Sequence, residues 1–534
     1  MAPPSETSCS LRRIFWTAFA KTKMDRNQRS PLPIPNNNLL KTCKTDKLGV
    51  KSFLPHYLPT VDPGTGSTSK LVVQAETVPK DEAILYQWLV QIVTLVQWVL
   101  MWIFPLATGD SRTGGPVVND EDEMVQDAFT KVPFANLQKS FQAPVRPPGM
   151  AKGRADIGEL ARNGPLLRYT QAKSQQGPTQ GGYIIDLSKL AKYKVYPGLH
   201  RLGAKAELNA VWQVTSITTG ETGAVSPSDD PERFALAKQI FLASAATYNS
   251  ILHHTMGVHV AMAECFEIAA RNTLSGSHPL LRLLWAHFFG AIRSNAQTIR
   301  TDLQGGFFNS TFESVFSWPR EEIFKAVADY WTDGFDLLEM DPSHYCMDVD
   351  SPAANNLREL WGVIAMYSKD YLSIYYKDDE AVATDASIVR FLTLLNNLVP
   401  GGVTNVVNPV TPTLSGLTKL AAVFIWSGTG EHGAVGQNMW NYVCWTATWP
   451  LRVYQGALRE DKDRYQLWLN YNYILNVPRA SLVKDFSDLA LDSKGEAVMK
   501  ELQKRLKKVQ EQMPSAPKKA GLLYPDELDC NIAS

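Results

Sequence analysis

His253-His254-Thr255-Met256-Gly257-Val258-His259 lies at the middle of a proline-free segment that opens at Asp230-Pro231-Glu232 and runs to Ser277, just before His278-Pro279. Five of the nine histidines fall between Asp230 and His287: His253, His254, His259, His278 and His287. From Gln239 to Ala263 there is no Asp, Glu, Lys or Arg. Asp230 suits a helix N-cap and Pro231 the first helical position, where a missing N–H costs nothing. Gly276 is a stop signal with Pro279 just beyond. A helix this long and uncharged belongs at the centre of a large domain. Imidazoles there each need a hydrogen bond or a metal.

His254 and His259 are five residues apart, about 140° of rotation on a regular α-helix and too wide for one ion. A π-turn, closing i to i+5, would bring both rings to one side, and Gly257 weakens the regular helix between them. Either each is a core histidine bonded to a carbonyl, or the pair holds an ion.

Outward from this stretch the 534 residues are 45% hydrophobic and 20% charged, ample for a large core. Lys+Arg and Asp+Glu are both 53, so no bulk electrostatic attraction to nucleic acid is expected. The six cysteines are scattered without a CxxC pair, which argues for reduced thiols rather than a zinc ribbon or disulfide framework. Residues 1–75 read as a weakly ordered, Pro-rich extension with a basic start; Ile14–Ala20 is too short for a secretory signal, so a cytoplasmic protein is expected, with a mitochondrial transit peptide as the other reading. Residues 76–109 contain an uncharged run, 83–109, with Gln87, Gln91 and Thr94 at helical spacing. That stripe suits an apolar helix packed on the domain or lying at a membrane surface better than one crossing it. Residues 110–180 read as an irregular linker. Gly181–Leu187 and Ala210–Val214 are strand candidates, with a turn at Gly220–Gly223. Segments 232–275, 279–300, 320–339, 353–376, 380–397, 415–427, 432–445 and 494–513 suit helices. The expected fold is mainly α, one large helical domain over 181–534 with a minor β element.

At Ala235-Leu236-Ala237-Lys238, His254-x4-His259, Glu264, Ala270-Arg271-x-Thr273-Leu274 and His278-Pro279-x3-Leu283-Leu284-x2-His287, the chain resembles the lipoxygenases. The Ala-Arg-x-Thr-Leu and His-Pro pieces are most similar to fungal members. Gly305-Gly306-Phe307-Phe308 matches a stretch lining their substrate channel, His432-Gly433-Ala434-Val435 resembles their second metal helix, and Tyr524 to Ser534 lines up with their C-terminal segment. The resemblance covers roughly 180–534, with no N-terminal β-sandwich evident. It implies one non-haem iron or manganese per chain, held by His254, His259, His432 and the terminal carboxylate of Ser534, with no catalytic side chain beyond the metal centre. It also implies a monomer that inserts O2 into a polyunsaturated fatty acid or related polyene, giving a hydroperoxide.

Five positions depart from the family pattern or specify it. Gly436 stands where the family places an Asn ligand, so a water, an open position, or Gln437 or Asn438 through a local bulge takes that place. Ser534 replaces the usual Ile or Val. Ile299 falls where a small residue normally sets the face open to oxygen. Leu303 and Phe308 fall where the reacting methylene is clamped. These departures leave an alternative: a divergent enzyme with altered chemistry in fungal specialised metabolism, or an inactive relative.

Two rivals come from other classes. Gly428-Thr429-Gly430-Glu431-His432-Gly433 matches a dinucleotide-binding G-x-G-x-x-G, but without a βαβ repeat or an acidic residue about 20 positions on. A membrane protein spanning at 83–109 and 239–263 would place three histidines in the bilayer, at high cost. His278 and His287 are expected to be structural, His253 to point away from the metal, and Glu264 with Arg271 to form a buried charge-assisted contact.

Overall fold

The computed structural model describes residues 146–532 apart from 152, 174–180, 299–311, 346–348, 457–480 and 516–520, together with the stretches 50–52, 73–75, 78–79 and 82. The apolar run 83–109 lies outside the described residues.

The first rod of the fold starts where the caps place it. The Asp230 carboxylate accepts from the N–H groups of Glu232 (2.9 Å) and Arg233 (3.3 Å), and Pro231 occupies the first turn. The rod is α-helical over Pro231–Thr247, π-helical over Tyr248–Glu264, and α-helical again over Cys265–Thr273. It stops at Thr273, three residues before Gly276. His278 then caps the next helix, Pro279–Phe288, its Nδ1 accepting from Leu280 N–H at 3.2 Å. The segment expected at 279–300 is broken after Phe288 by Gly290, whose φ of 93° no helix tolerates, and resumes over Ala291–Thr298.

A second rod crosses the first. It is α-helical over Leu414–Trp426, π-helical over Ser427–Glu431 and Gly433–Asn438, and ends α-helical over Met439–Val443. The 415–427 and 432–445 segments are therefore one continuous element. Its π-turns pack on the π-turns of the first rod, while its α-helical start packs on Pro352–Tyr375. That helix is covered in turn by Ser493–Gln512, whose Met499, Leu502, Leu506 and Val509 form one buried stripe at helical spacing. Trp285, Trp318, Trp331, Trp426 and Trp449 are all buried in the same core, each a large apolar payload.

The β element is a five-stranded antiparallel sheet in sequence order: Gln171–Ala172, Gly182–Asp186, Ala204–Asn209, Val214–Thr219 and Gly223–Val225. It packs on the start of the first rod. The strand expected at Gly181–Leu187 is present, and the turn expected at Gly220–Gly223 joins the last two strands. Ala210–Val214 is different: only Val214 is extended, and the rest is a hairpin turn. The Asn209 side chain accepts from the N–H groups of Val211 (3.1 Å) and Gln213 (2.9 Å), pulling the backbone round until Trp212 has φ 65°. Its indole then stacks on Tyr183, ring centroids 3.7 Å apart.

Among the described residues no helix is long and apolar enough to cross a membrane. The uncharged run 239–263 is enclosed by the sheet, the second rod and the helices around them, so its apolarity is that of a core element. Cys265, Cys444 and Cys530 are buried, and burial pushes the Cys265 thiol well up.

Early residues reach this core. Val73–Ala75 is buried, and Ala75 N–H donates to Glu264 Oε1 at 2.8 Å. Glu82 is fully buried, accepting from Arg271 Nη2 (2.6 Å) and Arg293 N–H (3.1 Å). Arg271 also reaches Glu267 Oε1 at 2.8 Å and lies over the Trp285 ring. The contact expected between Glu264 and Arg271 is thus built with other partners: Glu82 and Glu267 take the guanidinium.

Burial, then the neighbouring Glu82 charge, push the Glu267 carboxyl well above its ordinary range. Burial would raise Glu82 too, but the Glu267 hydrogen bond, the Arg271 charge and backbone N–H groups outweigh it and hold Glu82 low. Glu267 therefore carries a proton and Glu82 a charge. A raised folded-state pKa favours folding below the ordinary value of 4.5 and loses that contribution as pH rises. Glu267→Gln supplies the donor permanently, so its stability relative to the wild type should grow between pH 5 and pH 8 in urea unfolding. Glu82→Gln should cost about 1–3 kcal/mol at neutral pH, because Glu267 then ionises beside Arg271 and compensates in part. The reverse order of the two variants would refute this protonation scheme.

Candidate metal centre

The widened turns of the two rods bring three imidazoles together. His254 and His259 come from the first rod and His432 from the second, and one nitrogen from each lies within 4.8 Å of the others. His259 Nε2 is 3.2 Å from His254 Nε2 and 3.3 Å from His432 Nε2. The three ring centroids are 4.9, 5.0 and 5.1 Å apart. Three nitrogens each about 2.1 Å from one ion, and separated by these distances, subtend about 100° at it, which suits tetrahedral or octahedral first-row coordination. The donor set fits a metal better than a hydrogen-bond cycle, because each pair of facing Nε2 atoms can share only one proton. His259 and His432 are buried and His254 half-buried, so hydration gives little compensation.

The local sequence explains why the rods widen here. A Cβ on Gly257 would fall 2.8 Å from Met340 Cε and 2.9 Å from Tyr330 Oη, so the backbone between the two ligands approaches its neighbours more closely than any other residue allows. In the second rod a Cβ on Gly430 would meet the Trp426 ring at 2.3 Å, and one on Gly433 would meet Leu528 at 2.4 Å. These glycines serve close packing inside a helical rod, where no strand precedes them and no phosphate cradle forms.

Widened turns misdirect backbone carbonyls, and side chains occupy them. Asn295 Nδ2 donates to the His259 carbonyl (2.7 Å) and to Glu264 Oε2 (2.9 Å). Asn249 Nδ2 donates across to the Val435 carbonyl (2.8 Å), and its own oxygen accepts from Tyr169 Oη (2.8 Å).

The other histidines are accounted for by protein partners. His253 lies outside the cluster and is bonded to Glu431 at 3.0 Å. His278 lies 3.2 Å from Asp385 Oδ2. His287 Nδ1–H donates to the Cys530 carbonyl at 2.7 Å, and burial pushes its pKa down to about 4, so it stays neutral. That bond, with Asn531 Nδ2 donating to the Phe289 carbonyl (3.2 Å), fixes the C-terminal segment in the core. Ile532 reaches Gly428, four residues before His432. Ser534 itself lies outside the described residues, as do Ile299, Leu303 and Phe308.

Gly436 is half-buried, four residues after His432, and a Cβ there would lie 3.3 Å from the His254 ring. The position faces the cluster yet brings no donor atom to it. The side chains of Gln437 and Asn438 are outside the described residues.

Sequence reasoning missed Glu431. It is the one charged residue between Lys419 and Arg452, it is fully buried, and it stands beside a ligand. A lone carboxylate in an uncharged rod was the signal, hidden because the surrounding glycines suggested a different motif.

Fold and site together define a helical protein whose two π-turned rods hold a buried three-imidazole cluster shaped for a first-row ion. A family model described as Lipoxygenase matches residues 218–323 and 346–499. The seed linoleate 9S-lipoxygenase-3 of Pisum sativum is 26% identical over 226 residues, covering 39% of this chain and 26% of that protein. The linoleate 9/13-lipoxygenase of Pseudomonas aeruginosa is 26% identical over 221 residues, covering 40% of this chain and 31% of that one. These matches thus span about a quarter to a third of the relatives' length. Among solved structures, a calcium-dependent 11R-lipoxygenase superposes with a TM-score of 0.71 at 16% identity, over 93% of this chain and 80% of its own. A coral 8R-lipoxygenase gives 0.71 at 13% identity, over 93% and 81%. The chain belongs to the lipoxygenase family, whose members carry a non-haem metal.

If the three imidazoles share one ion, His259→Ala should retain less than about a tenth of the wild-type metal in elemental analysis, because two ligands remain where three converged. His287→Ala, which removes a histidine outside the cluster, should keep its metal where it folds. Equal metal in wild type and His259→Ala would disprove the site.

Proposed function

We propose that the protein is a non-haem metal dioxygenase that adds O2 to a polyunsaturated fatty acid or related polyene, the overall change being RH + O2 → ROOH. The observation that carries this reading is the convergence of His254, His259 and His432 Nε2 at spacings suited to one first-row ion. The linoleate lipoxygenases among the relatives bear on the substrate class. Iron and manganese both suit three neutral imidazoles and a carboxylate; either, when bound, supplies the one-electron oxidation that lets a hydrogen atom leave a methylene flanked by two alkenes.

The rest is the work of this chain. The rods hold the imidazoles in a fixed array and cost no reorganisation during turnover. Buried apolar residues on the two rods, Met256, Val258, Val260 and Val435 among them, keep bulk water out of the core that holds the imidazoles. His253 and His287 remain neutral through burial, so neither adds a competing positive charge. The Ser534 carboxylate is the fourth ligand in this reading; two residues, up to about 7 Å of extended chain, separate it from Ile532 beside the second rod. Gly436 offers no side-chain donor, so His254, His259, His432 and the Ser534 carboxylate would hold the ion.

The test is conjugated-diene absorbance on mixing metal-loaded protein with linoleic acid in air. The expected result is a steady rise that needs both oxygen and metal and is at least about 100-fold lower in His259→Ala, given the usual cost of losing a metal ligand's chemistry. Fully loaded protein that oxygenates no polyene would overturn the proposal.

A further inference from the structure

A second polar cluster stands behind the imidazoles, and the proposed reaction does not use it. Glu431, fully buried, immediately precedes His432 on the second rod; His253, fully buried, immediately precedes His254 on the first. His253 Nε2–H donates to Glu431 Oε1 at 3.0 Å, so the two rods are joined by a direct bond one residue from a ligand on each side. Arg168 forms an ion pair with the same carboxylate oxygen, and Tyr345 Oη–H donates to Oε2 at 2.9 Å. Arg168 also lies over the rings of Tyr169 and Tyr345 and donates through Nη2 to the Glu339 carbonyl at 3.3 Å. Its neighbour Tyr169 holds the other strut between the rods, through Asn249 to the Val435 carbonyl. One short turn, Leu167–Tyr169, therefore grips both rods at once.

A buried carboxylate and guanidinium in an uncharged core are costly and are not needed for stability, since apolar side chains of like volume do as well. What they provide that apolar packing does not is direction. Glu431 meets three partners on three separate elements, two as hydrogen-bond donors and one as an ion pair, which fixes the rotation of the second rod about its axis and its shift along the first. A widened π-turn is soft in both respects. The cluster is also neutral overall, one cation against one anion, so it adds no net charge beside an ion.

We propose that the Arg168–Glu431–His253 cluster, closed by Tyr345, is the positioning element of the metal centre, setting the register of the two rods so that His254 and His432 present their Nε2 atoms to the same ion. This rests on the metal-binding reading above. None of the four side chains touches the ion; each acts through a ligand or through the rod that carries it.

The test compares wild type with Arg168→Met/Glu431→Leu, with Glu431→Gln and with Tyr345→Phe, measuring metal affinity by chelator competition, the electron paramagnetic resonance spectrum of the bound Mn(II), and the unfolding midpoint. The double variant removes both charges together, so its unfolding midpoint should stay near that of the wild type. Its metal affinity should nevertheless fall about 10–100-fold, the usual consequence of losing the groups that orient metal ligands, with a broadened spectrum from unequal ligand geometries. Glu431→Gln retains volume and acceptors but not the ion pair and should lose less; Tyr345→Phe should lose least. That graded order also decides the matter if the double variant does not fold. Variants with wild-type affinity and spectrum would overturn the positioning role alone. A wild-type chain that takes up no manganese or iron would overturn the metal reading and this inference with it.

Discussion

Three imidazole nitrogens within 4.8 Å of one another, inside an apolar interior, are the constraint that the surrounding architecture serves. A regular α-helix cannot bring His254 and His259 to one ion, because five residues rotate the second ring about 140° away from the first. The i to i+5 closure removes that mismatch, and in the structure it extends over Tyr248–Glu264. The second rod does the same over Ser427–Asn438 with His432 at its middle. Much of the remaining sequence can be understood as support for these two unstable stretches. Regular helix continues on either side of each, close-packed glycines fit at the crossing, and Asn249 and Asn295 occupy backbone carbonyls of the widened turns, with Glu264 holding Asn295 in place.

The polar groups of this core fall into two sets. The ligand set is three imidazoles shaped for one ion. The supporting sets pair opposite charges within the protein. Glu431 meets Arg168, His253 and Tyr345 behind the ligands, and Arg271 meets Glu82 and Glu267 at the end of the first rod. In both supporting sets a carboxylate is held by an arginine that also lies over an aromatic ring, Tyr345 in one and Trp285 in the other. Such an arrangement lets a charge sit in a dry interior without a net field. It also ties distant chain segments together: residue 82 to the end of the first rod, and residues 168 and 345 to the crossing of the two.

Much of the site is legible in the sequence. The N-cap at Asp230, the uncharged run from Gln239 and the five-residue spacing of His254 and His259 argue for a buried rod with a π-turn, and the structure has one. The resemblance to lipoxygenases added His432, which spacing alone could not join to a pair more than 170 residues earlier. The hairpin at Ala210–Trp212 was misread as a strand because β-branched and aromatic residues there are stabilised by an Asn209 turn and by ring stacking, and neither leaves an alternating pattern. The partners of Arg271 were misassigned for a similar reason: Glu267 lies one turn away and is readable, but Glu82 is far removed in sequence.

Composition, caps and the spacing of apolar and histidine residues decided locally what this chain does: which segments are helical, where the rods begin, and which rings can share a side once a turn widens. These are short-range matters, set by backbone geometry and by burial of an uncharged face. Tertiary structure alone decided which rods cross, that Gly430 and Gly433 serve packing rather than phosphate, and that the lone carboxylate of Glu431 meets Arg168, His253 and Tyr345. Those outcomes depend on contacts between segments far apart along the chain, whose free energy exists only after the core has closed around them.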